Sequence, residues 1–167
     1  MSSRGVYFSL SETEVDKLKS FTDDTERLDY LQNEIEEEYF DAHEDRLAET
    51  DKAWDAMHRA LSDGDLSFTT GPYPLRLAVL GGESLYTEKD YIMSLKTPEE
   101  VQDIARALAP ITQNQFRKRY DAMDAKKYES PKSDEDFEFT WQTLSEIVAF
   151  YQNAAEENRW VLFSVDQ

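Results

Sequence analysis

Asp51-Lys52-Ala53-Trp54-Asp55-Ala56-Met57-His58-Arg59-Ala60-Leu61 is the stretch on which the fold turns. Trp54, Met57, His58 and Leu61 recur at i, i+3, i+4 and i+7, which aligns them on one helical face and predicts that this face is buried. Asp51 has the chemistry of an N-cap, and Asp63-Gly64 is a turn signal that stops the helix near Ser62. Beyond a loop from Phe68 to Pro74, the residues Leu75, Leu77, Ala78, Val79 and Leu80 form the most apolar run in the chain and read as a buried strand. Gly81-Gly82 then permits a sharp reversal or a close backbone approach. This helix and strand are the expected core pair.

Toward the amino terminus, Val6 to Leu10 reads as a short strand, and Ser11 with Glu14 has capping-box spacing for a helix through Lys19. A second helix starts around Asp23 and Asp24, with Leu28, Leu31, Ile35 and Tyr39 at helical spacing and Glu34, Glu36, Glu37 and Glu38 on its other sides. Residues 41–50 fit either a continuation of that helix or a loop. Toward the carboxyl terminus, Leu85-Tyr86 and Tyr91 to Leu95 predict a hairpin, and Thr97-Pro98-Glu99-Glu100 is a helix start with Val101, Ile104, Ala105 and Leu108 inward. Thr112 to Met123 predicts another helix, with Phe116 and Tyr120 inward. Residues 124–132 read as a mobile loop. Phe137, Trp141, Leu144, Val148 and Tyr151 mark a long helix from Asp134 to about Asn158, and Trp160 to Val165 alternates as a closing strand. With no internal repeat and no long linker, residues 1–167 are expected to form a single compact α+β domain, several helices on a small mixed or antiparallel sheet.

The formal charge is −18, from 36 acidic and 18 basic side chains. The first 50 residues are the acidic end, holding 15 acids and 5 bases. Such a field repels nucleic acid and anionic membrane and attracts basic proteins or cations, although a solvated face is its ordinary meaning. The aromatic content, 9 Tyr, 9 Phe and 3 Trp, is that of a chain with a core and not of a disordered one. Without cysteine there are no disulfides, thiolate ligands or cysteine nucleophiles. No stretch approaches a membrane span and Val6 to Leu10 is too short for a signal-peptide core, so cytoplasmic residence is expected.

Asp51-Lys52-Ala53-Trp54 with His58 a turn beyond, Pro74-Leu75 leading to Leu80-Gly81-Gly82, and Thr97-Pro98-Glu99-Glu100-Val101 resemble the YfbM-like family of uncharacterised bacterial proteins. The resemblance spans almost the whole chain. It implies a compact α+β domain and a bacterial cytoplasmic setting, and it implies no activity and no functional residues.

Chemistry has few footholds. Asp51, Asp55 and His58 could converge on a metal from one helix, but a packed core histidine is the commoner outcome at such a position. His43 beside Asp41, Glu44 and Asp45 lies in a charge run. Gly81-Gly82-Glu83 could offer amides to an anion, yet it lacks the spacing of a phosphate-binding loop. No catalytic residue, metal ligand set or cofactor motif emerges. The preferred reading is a non-enzymatic binding domain, an immunity-type protein or antitoxin that neutralises a basic toxin or effector through Glu37, Glu38, Asp41, Glu44 and Asp45. The alternative is a small-molecule binder or unrecognised enzyme with a pocket drawn from Trp54, Asp55, His58, Glu83 and Tyr86. A third reading is an assembly subunit with an apolar patch at Trp141 or Trp160.

Overall fold

The structure is a computed structural model and describes residues 3–167. Five strands, β1 (Gly5–Leu10), β2 (Leu47–Asp51), β3 (Glu83–Ser84), β4 (Tyr91–Lys96) and β5 (Trp160–Asp166), form one antiparallel sheet in the order β2-β1-β5-β4-β3. The alternation that marked Trp160 to Val165 as a strand also explains its place. Val161, Phe163 and Val165 point to one face, Leu162 and Trp160 to the other, so β5 can be covered on both sides and sits in the middle.

One layer consists of α1 (Glu12–Ser20) and the helix that runs from α2 (Asp24–Tyr30) through a π-helical turn (Leu31–Ile35) into α3 (Glu36–Ala42). Its apolar stripe, Val15, Leu18, Leu31, Ile35 and Tyr39, packs on Phe8, Leu10, Met93, Leu95 and Leu162. The wider π turn suits a sequence in which Leu31, Ile35 and Tyr39 are spaced by four, because it slows the drift of that stripe around the helix. The capping box at Ser11 and Glu14 forms as expected, and Arg27 ties the layer together by donating to the carbonyls of Leu18 (2.8 Å) and Leu85 (2.6 Å).

The opposite layer contains α4 (Trp54–Leu61), α5 (Pro98–Leu108), α6 (Gln113–Asp121) and α7 (Asp134–Glu156), packed on Tyr7, Ile92, Val161, Phe163 and Val165. Trp54, Met57, His58 and Leu61 are all buried, and the Thr97–Glu100 capping box opens α5. The result is a single α+β domain with the sheet between two helical layers.

Four expectations are corrected. Leu75 to Leu80 is not a strand: Leu75–Leu77 is a 3-10 turn and the rest is buried coil. The carbonyls of Leu75 and Arg76 accept from backbone N–H groups of Ala78 and Gly81, and those from Ala78 on accept from side chains, so no ladder is needed. The Tyr7 and Tyr151 hydroxyls both donate to Ala78 O at 2.7 Å, the Lys96 ammonium donates to Val79 O at 2.6 Å, and Ser94 Oγ lies 2.7 and 2.8 Å from the carbonyls of Leu80 and Gly81. Secondly, the ambiguous residues 41–50 contain a strand, β2, too short and polar to show alternation. Thirdly, Asp51 ends β2 at φ 49° and caps nothing; Ala53 takes the N-cap position of α4 without a side-chain hydrogen bond. Finally, residues 124–132 are coil but are tied down, since Tyr128 is buried with its hydroxyl on Asp136 and Lys132 donates to Asp121 O and Met123 O. Gly81-Gly82 provides the expected close approach: Gly82 has φ 116°, and a Cβ there would run into the Leu95 carbonyl.

Candidate functional site

The acidic surface is built by what α3 buries. Tyr39 is turned inward and donates to Ser9 O (2.9 Å) and Glu14 Oε1 (2.7 Å), which fixes the rotation of the helix. Glu37, Glu38 and Asp41 are thereby left in solvent. The chain then turns through a 3-10 segment (Glu44–Arg46) in which Glu44 and Asp45 face outward, while Arg46 reaches Glu157 at 2.7 Å. The one base in the run is thus already paired. His43 Nε2 lies 3.3 Å from Glu38 Oε1. Phe40, three residues after Glu37, is 41% exposed among them. Sequence reasoning missed Phe40 because the helical pattern marked its neighbour Tyr39 as the packed aromatic, and nothing about a lone Phe announces that it faces outward. Glu36 differs from its neighbours: burial, aided by Asp166, raises its carboxyl pKa, while a hydrogen bond from Tyr91 opposes that.

The five pocket candidates are not brought together. Trp54 is packed with its indole N–H donating to Ser3 O at 2.8 Å. His58 has no exposed surface; its Nε2 is 2.8 Å from Ser67 O and its Nδ1 3.5 Å from Leu80 N, which suits the neutral tautomer protonated at Nε2. Burial pushes its pKa down to about 4, although the Ser67 hydrogen bond pulls the other way. Asp55 is held by Arg59 at 2.6 Å; burial raises its pKa against that pairing. Glu83 is exposed on β3 beside Lys19 at 3.0 Å. Tyr86 lines a cavity of ≈ 510 Å³ with Phe68, Ser84, Lys89 and Tyr91, and none of the other four candidates borders it. Among the described residues no three His, Asp or Glu side chains are grouped to hold a metal ion. Gly81 N–H is already committed to Arg76 O at 3.1 Å, and Glu83 lies in β3, so the glycine pair works as a turn. Trp141 stacks 5.6 Å from Phe116 and Trp160 lies under the Lys19 ammonium, and both are partly buried against the cores.

A polar cluster that sequence reasoning did not single out surrounds the buried coil. Ser94 Oγ and Lys96 Nζ are 3.2 Å apart, a separation seen where a lysine activates a serine, and burial lowers the Lys96 pKa well below its usual value. Both are sealed, at 1% and 0% exposure, and both are spent on coil carbonyls, so the pair is structural. The signal was present: Ser94 and Lys96 sit at period two in the otherwise apolar Tyr91-Ile92-Met93-Ser94-Leu95-Lys96, on the same face of β4.

The family described as "Domain of unknown function (DUF1877)" matches residues 1–164. The chain belongs to the DUF1877 family. The fold of this DUF1877 chain is similar to the crystal structure of YfbM, a protein of unknown function from Escherichia coli, with a TM-score of 0.67 and 19% identity over 99% of each chain. No curated protein matches it. No helix of the DUF1877 domain, among the described residues, is long and apolar enough to cross a membrane.

Proposed function

We propose that the chain is a non-enzymatic binding domain that docks a basic protein on α3 and the 3-10 turn after it, acting in the bacterial cytoplasm as an immunity-type neutraliser of a basic toxin or effector. The observation that carries this reading is Phe40, an exposed ring on α3 one helical turn after Glu37, in a run whose acids Glu37, Glu38, Asp41, Glu44 and Asp45 are also exposed. An apolar anchor within a charged rim is the layout of a binding hot spot, in which the ring supplies affinity and the acids supply steering and selectivity. The exposure of Glu37, Glu38, Asp41, Glu44 and Asp45 supports it further, because among the described residues none of these five has a Lys or Arg within ion-pair distance. A small-molecule reading loses its histidine, since His58 is sealed, and retreats to the aromatic cavity of Phe68, Tyr86 and Tyr91.

The test is affinity capture from bacterial lysate at low and at high salt, comparing the wild type with Phe40→Ala and with the pair Glu37→Lys and Glu38→Lys. A basic protein held by the wild type and lost from both variants is the expected outcome, with an association rate that falls as salt rises. Capture that is the same for all three proteins would remove this surface from consideration.

A further inference from the structure

β2 is an edge of the sheet, paired with β1 alone. Among the described residues its outer side makes no backbone hydrogen bond to another segment beyond the local turn from Ala53 N to Thr50 O. Open N–H and C=O groups on an edge strand are a template for one more strand. A groove of ≈ 330 Å³ at the Asp51 end of β2 is lined by Gly5 and Val6 of β1 and by Glu49, Thr50 and Asp51 of β2, and is walled by α7. Phe139, Gln142, Thr143 and Glu146 recur at i, i+3, i+4 and i+7, so one stripe of α7 forms that wall. Phe139 is 47% exposed and gives this groove, which it shares with Glu49, Thr50 and Asp51 of β2, an apolar side chain. The rim carries Glu49, Asp51 and Glu146 against a single base, Arg4, which lies 3.6 Å from Asp51.

We propose that an extended basic segment of another protein adds to β2 as a strand, seating an apolar side chain on Phe139 and basic side chains against Glu49 and Glu146. Backbone pairing supplies the template, and the groove supplies selection for apolar and basic residues in alternation. A second copy of this chain is a poor occupant, because two acidic rims on chains of charge −18 repel one another. The surface shares no residue with the acidic face of α3, so this inference and the proposed function fail separately.

The probe is a peptide of alternating Val and Lys long enough to span Leu47–Asp51, titrated into the isotope-labelled chain and followed by amide chemical shifts and hydrogen exchange. Its control is the same peptide N-methylated throughout, which keeps the charges and cannot donate backbone hydrogen bonds. Expected are shifts and slowed exchange at Leu47–Asp51 with the plain peptide, neither with the methylated one, and affinity reduced roughly 5- to 10-fold by Phe139→Ala and by Glu146→Lys. Both substitutions are at exposed positions of α7, so folding is preserved. Shifts that avoid β2, equal binding of the methylated peptide, or self-association of the chain through β2 would each overturn the proposal.

Discussion

The helices α1 to α3 and the segment 78–81 buried across the sheet from them are held by different means. Under α1 to α3 the packing on the sheet is mainly apolar, with Val15, Leu18, Leu31 and Ile35 on Phe8, Leu10 and Leu162. Across the sheet, the buried coil 78–81 is suspended from hydroxyl and ammonium donors on β1, β4 and α7. An apolar layer depends on volume, whereas a suspended coil depends on every acceptor keeping its donor, since an orphaned buried carbonyl costs more than a bond is worth. The first layer should therefore respond to truncation and the suspended coil to the loss of single atoms or to a change of charge.

The largest effect expected from this contrast is in the apolar layer. Leu18→Ala removes a side chain with no exposed surface and should cost about 2–5 kcal/mol in denaturant unfolding, with the slope against denaturant unchanged. A loss below about 1 kcal/mol, closer to the cost of a surface change, would show that α1 is loosely held. Next is acid. His58 in the fold has a pKa lowered from 6.5 to about 4, so as the pH falls the unfolded chain takes up its proton first. The stability it contributes is complete above pH 6.5 and is lost progressively as the pH falls to about 4, by roughly 3 kcal/mol in all. The ring resonances of His58, followed by NMR against pH, should keep their neutral positions to well below pH 6.5; titration at the unfolded value would mean that the site is open to water. The smallest effect belongs to the Ala78 carbonyl, which has two donors. Tyr7→Phe or Tyr151→Phe alone should cost about 1 kcal/mol, and the double substitution more than the sum of the two, because only then is the acceptor orphaned. Strict additivity in that cycle would dissolve the distinction between the layers.

The same contrast explains how far the sequence could be read. Wherever structure is local it was legible: the capping boxes at Ser11–Glu14 and Thr97–Glu100, and the helical stripes through Trp54–Leu61 and Phe137–Tyr151. The run Leu75–Leu80 misled because apolarity reports burial without reporting backbone hydrogen bonding. Its donors, Tyr7 and Tyr151, lie 71 and 73 residues away from Ala78, beyond the reach of any pattern. β2 went unread because an edge strand kept in solution by Glu49 and Asp51 carries little alternation. The acids of α3 were visible as a charge run, yet Phe40 among them was not, and the groove at Phe139 exists only once β1, β2 and α7 are assembled.

β5 comes after every other strand in the chain and yet separates β1 from β4. On the ribosome, then, the halves of the sheet are made first and their joint last: Gly5–Leu10 and Tyr91–Lys96 must wait, edges bare, until Trp160–Asp166 has left the exit tunnel. Until then the sheet cannot close, and that interval is when chaperones have the most to hold.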